Sequence, residues 1–409
     1  MAINKEQQRV IDELDRNILL LASAGTGKTN TLAYRVAHII ESGRAEASQI
    51  LCMTFTNKAC NEMKGRIISL AGSAAKAVEV SSFHSFCFKI IQDESKRNDA
   101  LFMDVTIFDE EDCKELYMPI KPGNVRDMSF AALLAMVKEY RSYYGYYSND
   151  PHEDYGKTIR QLMKEKSKDL EKLFVNYNQV QSDAFHAFTQ EGADWLVSYD
   201  EALQSVHGMD FTDLITGVHR LFQDEQIRER WRSRYSYIAV DEMQDTGLLE
   251  YKVMEMLWKG NHVLLCGDYF QTIYEWRGSD PFRLLADFEE HFDPLKIVFY
   301  ENFRSNRTLF TMAFETLRHM FPKLVGNIYN EMPRAVSAED GPPVRIYGGK
   351  NEYDEAKFIY DSIRKLATDA NVGVLVRDNQ KAQRMSAYFE RFNQDYPETE
   401  QRQFMIIDE

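Results

Sequence analysis

The sequence predicts an α/β protein built on a doubly wound parallel sheet, interrupted by a helical insertion. Short apolar runs rich in β-formers recur along the chain: NILLLA (17–22), ILCMTFT (50–56), AVEVSSF (77–83), YIAVDE (237–242), HVLLCGD (262–268), KIVFYE (296–301), VRIYG (344–348) and VGVLVR (372–377). Most are nearly continuous in hydrophobicity, as strands covered on both faces are. Helical patterns such as 29–42 and 57–69 lie between them, and strand–helix alternation argues for parallel pairing. From about 91 to 206 the pattern turns polar and mostly helical. The expected organisation is therefore a first α/β domain from residues 1–90 and 207–280, a helical insertion at 91–206, and a second α/β domain at 281–409.

Bulk composition agrees with this division and removes some function classes. A chain of 409 residues exceeds one ordinary domain. With 44% hydrophobic and 28% charged residues it has the make-up of a soluble globular protein with sizeable cores. No apolar run approaches the roughly 18 residues that a bilayer span needs, and the polar start MAINKEQQRVIDELD has no secretory signal character. Cys52, Cys60, Cys87, Cys113 and Cys266 are scattered without CxxC or metal-like spacing, so the expected setting is cytoplasmic, with reduced thiols and no membrane. The formal charge of −15 argues against nucleic-acid binding by global charge, leaving a local groove with stacking groups as the only such route.

Strand 17–22 runs into the loop ASAGTGKT (22–29) and then a helix, TNTLAYRVAHII. A strand, small residues that let backbone N–H groups face an anion, and a helix N-terminus are the parts of a phosphate cradle. Ala22, Ser23, Ala24, Gly25, Thr26 and Gly27 line it, Lys28 is suited to the β- and γ-phosphates of ATP, and Thr29 to Mg²⁺. Ala22 stands where the strict pattern has glycine, which suits a residue that only opens the turn with strand-like dihedrals. Further along, YYGYY (143–147) reads either as a base-stacking platform or, more simply, as tyrosines packed at a helix end. KTIRQLMKEKSKDLEK (157–172) mixes both charges at helical spacing and reads as a solvated face.

A phosphate loop needs an acid on a neighbouring strand to hold its metal. The buried-type run 237–240 ends in Asp241 and Glu242. Asp241 suits the Mg²⁺ shell, and Glu242 beside it is a base for the attacking water.

The ordered segments INKEQQ (3–8), ASAGTGKT (22–29), MTFTNKACNEMKGRI (53–67), SSFHSF (81–86), MDFTDLI (209–215), VDEMQDT (240–246), GDYFQTIYEWRGSD (267–280) and ENFRSN (301–306) resemble the UvrD/Rep/PcrA group of superfamily 1 DNA helicases. The resemblance implies a RecA-like P-loop NTPase domain with a helical insertion, followed by a partial second RecA-like domain. It implies that Gln7 reads adenine, Phe303 stacks on the base, Arg304 reaches the γ-phosphate and Gln271 senses it. Phe55, Thr56, Asn57, Phe83 and His84 match loops along a single-strand track, and Tyr274 and Trp276 match aromatics that stack on unpaired bases. The implied activity is ATP-dependent, 3′ to 5′ movement on single-stranded DNA or a single-strand/duplex junction. The shared ATP site leaves open an ATP-gated DNA-binding subunit that regulates a nuclease or other repair or defence partner. A P-loop kinase is the other alternative, and it would leave the aromatic segment unexplained.

Ala22 is common among relatives. Asn30 (often arginine), Glu275 (often glycine or basic) and Glu301 (often glutamine) depart from them. Two later family motifs do not appear before Glu409, and QFMIIDE ends like an interrupted strand. The expectation is an incomplete second domain and weak or absent unwinding by these residues alone.

Overall fold

The computed structural model describes residues 3–97, 105–171, 182–272, 279–337, 339–367, 370–397 and 401–406. Contacts divide the chain into two compact units, Met1–Gly341 and Pro342–Glu409. The strands are β1 (Ile18–Leu21), β2 (Ile50–Thr54), β3 (Glu79–Ser82), β4 (Thr106–Ile107), β5 (Gly208–Met209), β6 (Tyr237–Val240), β7 (His262–Gly267), β8 (Leu295–Val298), β9 (Glu301–Asn302) and β10 (Arg334–Ala335). Among the described residues, six of them form one sheet in the order β3-β2-β6-β7-β1-β8, with every pair parallel.

Both faces of this sheet are covered, which explains the continuous apolar runs. Successive side chains of a strand point to opposite faces. Ile18 and Leu20 of β1 join Cys52, Ala239 and Leu264 against Leu32 and Val36 of helix Lys28–Glu41. Leu19 and Leu21 join Leu51, Ile238 and Leu265 against helices Phe83–Ser95 and Leu248–Trp258. All four β1 residues are buried, each contributing about 1.5–3 kcal/mol of transfer free energy.

The insertion has its own core. Helices Glu110–Tyr117, Asp127–Tyr143, Pro151–Glu171 and Ser182–Ser205 bury Phe130, Tyr155, Leu162, Trp195 and Leu196 together. The short parallel pair β4–β5 joins its two ends. Buried Lys138 fastens it to the sheet domain: its Nζ lies 2.8 Å from Asp210, 2.6 Å from Asp213 and 3.6 Å from Asp200. Asp210 and Asp213 form the capping box of helix Phe211–Leu221, so one ammonium serves the insertion and that helix start together. The YYGYY tyrosines lie where helix Asp127–Tyr143 ends, with Gly145 at φ 68° and the rings of Tyr143 and Tyr144 5.3 Å apart. This is the packed helix end of the simpler reading. Helix Pro151–Glu171 buries Ile159 and Leu162 while Lys157 and Lys166 remain at its surface.

Two sequence expectations differ from the structure. β8 and helix Pro281–Phe292 belong to the first unit rather than with 342–409: β8 pairs with β1 along Ile18↔Leu295 to Leu21↔Val298. The runs 344–348 and 372–377 are not strands. A strand needs a ladder partner for its N–H and C=O groups, and among the described residues neither run has one; Ile346 is 89% and Leu375 98% exposed. The second unit is instead organised by helices Glu352–Arg364 and Asn379–Asn393, packed through Ala356, Tyr360, Met385, Phe389 and Phe392.

Among the described residues, no helix is long and apolar enough to cross a membrane. The five cysteines are unpaired and buried.

Candidate functional site

The candidate residues among those described gather at the C-terminal edge of the sheet, where open α/β folds bind ligands. Ala22 prolongs β1, its N–H donating to Gly267 O at 3.1 Å, which is why this position needs no glycine. The chain then turns through Gly25 (φ 80°) and Gly27 (φ 84°) into helix Lys28–Glu41. Both glycines sit in the left-handed region where a side chain is strained.

Lys28 is buried, and its Nζ contacts Glu242 Oε2 at 3.0 Å. Burial by itself lowers the ammonium's pKa. Cys266, Glu242 and Asp241 outweigh it and hold Lys28 above its ordinary value. Burial also pushes the Cys266 thiol well up, so at neutral pH the two carboxylates do this holding. Thr29 Oγ1 donates to Asp241 Oδ2 at 3.1 Å. Asp241 is buried at the end of β6, and burial, then the charge of Glu242, raises its pKa against Lys28 and Thr29. A hydroxyl and a carboxylate side by side are hard oxygen donors, and a carboxylate destabilised by burial gains from a cation. The pair therefore fits Mg²⁺, which takes one or two protein oxygens and completes its shell with phosphate and water. Among the described residues, no larger His/Cys/Asp/Glu cluster competes for a metal.

Glu242 itself has φ 54°, left-handed for a non-glycine residue. Such strain costs about 1–3 kcal/mol and clusters at functional sites. A hydrogen-bonded chain leads away from it. Gln244 Nε2 donates to Glu242 Oε2 (2.7 Å), Asp268 N donates to Gln244 Oε1 (2.9 Å), and Gln271 Nε2 donates to Asp268 Oδ2 (2.5 Å). Gln271 is thus joined to the acid pair through Asp268 and Gln244, two residues whose local sequence gives no sign of the link.

The residues expected near the base come from both ends of the first unit. Asn4 caps helix Lys5–Asp12, its Oδ1 accepting from Gln7 N (2.8 Å), and Gln7 Nε2 donates to Thr26 O (3.0 Å). Glu301, whose role the sequence left unassigned, accepts from Asn4 Nδ2 at 3.0 Å and pairs with Arg334. The end of β9 and the turn after it lie on the phosphate loop: Phe303 N donates to Gly25 O (2.8 Å) and Asn302 Nδ2 to Ala24 O (2.6 Å). Phe303 is half-buried and Arg304 exposed.

The aromatic candidates occupy the other half of the same edge. β2 leads into exposed Phe55, then Thr56, which caps helix Asn57–Ala71 by accepting from Ala59 N at 3.1 Å. β3, paired with β2, leads into Phe83 and His84 at the start of helix Phe83–Ser95. Phe83 and His84 meet edge to face at 6.2 Å, and His84 meets Phe211 at 5.5 Å. Phe211 is 43% exposed. Its place after the N-cap Asp210 in MDFTDLI is legible in the sequence, but its exposure and its contact with His84 emerge only from the fold. Three strand spacings separate β1 from β2, about 14 Å at ~4.8 Å each. Tyr274 and Trp276 lie outside the described residues.

A phosphate cradle on one strand with a paired acid two strands away defines a P-loop nucleotide-binding protein. The chain belongs to the UvrD/Rep helicase family: the model of the UvrD/REP helicase N-terminal domain matches residues 3–293, and that of the UvrD-like helicase C-terminal domain matches 297–407. Its sheet is accordingly a RecA-like P-loop fold. It is 28% identical over 402 residues to the ATP-dependent DNA helicase PcrA of Staphylococcus epidermidis, covering 96% of this chain and 50% of that protein. The protein of the same name from Staphylococcus aureus is 27% identical over the same shares of both chains. The chain thus spans about half the length of the curated relatives it matches.

Proposed function

We propose that the chain binds and hydrolyses ATP with Mg²⁺ and couples hydrolysis to movement on DNA, as a UvrD-type helicase. The observation that carries this reading is the convergence of Lys28, Thr29, Asp241 and Glu242 at one end of the sheet, with exposed Phe55 and the ring contacts of half-buried Phe83 and His84 and exposed Phe211 on the same edge.

In this reading Lys28 exchanges Glu242 for the β- and γ-phosphates, since a phosphate oxyanion competes for the same ammonium. Thr29 and Asp241 hold Mg²⁺, which supplies charge neutralisation at the phosphates. Glu242, released from Lys28 but still gripped by Gln244, orients and deprotonates the attacking water. Arg304 meets the charge that develops on the γ-phosphoryl, the part an arginine finger plays. Gln271 follows the state of the acid pair through Asp268 and Gln244. Gln7 reads adenine with the donor and the lone pair its amide has left, and Phe303 stacks on the base.

The DNA reading rests on stacking. Phe55, Phe83, His84 and Phe211 would hold successive bases, as would Tyr274 and Trp276 by family resemblance, with Thr56 and Asn57 at the backbone. Stacking contributes roughly 1–3 kcal/mol per base without regard to sequence. That suits a motor and reconciles DNA binding with a charge of −15. The substrate is single-stranded DNA or its junction with duplex, the direction 3′ to 5′, and hydrolysis is stimulated by the strand. The buried, unpaired thiols support a reducing, cytoplasmic setting.

Displacement of a labelled strand from 3′-tailed and 5′-tailed duplexes tests the direction. If these residues act alone, displacement is expected to be weak and confined to the 3′-tailed substrate. Exclusive use of the 5′ tail would overturn the direction, and stimulated hydrolysis with no movement along single-stranded DNA would favour an ATP-gated DNA-binding subunit.

A further inference from the structure

The geometry points to Asn302 as the positioning residue that ties the arginine finger to the phosphate loop. This inference rests on the reading of Arg304 given above. Asn302 is buried, 4% exposed, and uses both ends of its amide. Its Nδ2 donates to the carbonyl of Ala24, in the middle of the loop, at 2.6 Å. Its Oδ1 accepts from the backbone N–H of Arg304 at 3.1 Å and of Ser305 at 2.8 Å. One planar side chain therefore bonds the loop that cradles the phosphates to the turn that carries the arginine.

Two further contacts fix the same juxtaposition. Phe303 N donates to Gly25 O at 2.8 Å. A Cβ on Gly25 would stand 2.6 Å from Arg304 Cβ and 2.8 Å from Asn302 Nδ2, so the segment occupies space that only a glycine leaves open. By contrast, the Arg304 side chain is exposed, and among the described residues its guanidinium has no hydrogen-bond partner. The backbone of Arg304 is thus held while its head is free to reach a γ-phosphate. A long flexible side chain loses rotamer freedom on binding, and fixing its root lowers that cost. Because the anchor is the Ala24 carbonyl, any shift of the loop as phosphate enters moves the root of Arg304 with it. Asn302 acts through Arg304 and touches no reacting atom.

Asparagine is the side chain this requires. Aspartate keeps the acceptor for Arg304 and Ser305 but loses the donor and sets a negative charge against the Ala24 carbonyl. Alanine loses both ends.

The test is equilibrium binding to the purified protein, with Mg·ATPγS and Mg·ADP each displacing a fluorescent mant-ADP probe. Wild type, Asn302→Asp, Asn302→Ala, Arg304→Ala and Arg304→Lys are compared, with thermal melting to verify folding. ADP lacks the γ-phosphate, so its affinity reports the loop, and the ratio of the two affinities reports Arg304. Both Asn302 variants are expected to lose about 10- to 100-fold of the preference for ATPγS, the range of a hydrogen bond to a charged group, while keeping ADP affinity. Arg304→Ala should lose as much. An equal fall for both nucleotides would reduce Asn302 to loop support and overturn the inference. A full preference in Asn302→Asp would show that the turn alone positions the arginine, overturning the link to the loop. If Arg304→Ala loses the preference and neither Asn302 variant does, this inference fails while the functional reading stands. If Arg304→Ala keeps it, the arginine-finger reading itself fails.

Discussion

Replacing Gly25 with alanine separates two penalties that the phosphate loop combines. Gly25 has φ 80°, and an L-residue in the left-handed region costs roughly 1–2 kcal/mol. The new methyl group would also lie 2.6 Å from Arg304 Cβ and 2.8 Å from Asn302 Nδ2. Carbon atoms rest at about 3.5–4.0 Å, so residues 302–305 must withdraw by about 1 Å or the loop must yield. Arg304 Cβ is fixed by the backbone and Asn302 Nδ2 is held by its bond to Ala24 O, so neither yields cheaply, and overpacking of this kind costs about 1–3 kcal/mol. Gly43 provides the control: it has φ 67°, but nothing lies within 4 Å of its would-be Cβ. Chemical denaturation should therefore show Gly43→Ala destabilised by about 1–2 kcal/mol and Gly25→Ala by about 2–5 kcal/mol. ADP affinity should fall only for Gly25→Ala. If the two variants melt alike, or Gly25→Ala binds nucleotide as wild type does, the close approach of the 302–305 segment to the loop is wrong.

Glu242→Gln should keep Mg·ATP binding within a few-fold while hydrolysis falls by about 10²-fold or more, the usual share of a general base; single-turnover kinetics would register retained chemistry as a contradiction. Phe211→Ala should weaken single-stranded DNA binding by roughly 1–3 kcal/mol and leave nucleotide affinity unchanged, read by fluorescence anisotropy of a labelled oligonucleotide. Asp213→Asn should remove a pH slope in stability. Burial, with Asp210 adding to it and Lys138 opposing it, pushes the Asp213 carboxyl from 3.8 up to about 7. The folded state therefore holds a proton that the unfolded chain has released, so this residue's contribution falls as pH rises from about 4 to about 7 and is level above. His219, lowered to about 4 by burial and then by Lys252, slopes the other way between about 4 and 6.5. The difference between the wild-type and Asp213→Asn melting curves isolates Asp213, and a difference constant across pH 4 to 8 would reject the assignment. Asparagine retains an acceptor for Asp210 N, so the helix cap survives the change.

The strand–loop–helix cradle, the acid pair and the buried strands were legible because local chemistry dictates them. A loop of small residues before Lys28 has few other uses, and ILLL in β1 must be covered on both sides. Ala22 was legible for a similar reason, since it only prolongs β1 toward Gly267. The parts that escaped depend on which distant segments meet. Gln244 and Asn302 look like ordinary polar residues in VDEMQDT and ENFRSN, and acquire their bonds only when β6 comes beside β7 and the 302–305 segment rests on Ala24. Sheet order is likewise a property of the fold: nothing in KIVFYE reveals that β8 closes the first unit's sheet against β1. VRIYG and VGVLVR have the composition of strands, but composition supplies no ladder partner.

The central claim is that one phosphate cradle is coupled to a single-strand track on the same sheet edge. Steady-state ATP hydrolysis by the purified protein, with and without a single-stranded oligonucleotide, tests it most directly when wild type is compared with Lys28→Ala. The expected result is a rate that rises several-fold or more with DNA in wild type and is abolished in Lys28→Ala, which remains folded. Equal rates with and without DNA, or retained turnover in Lys28→Ala, would contradict the account.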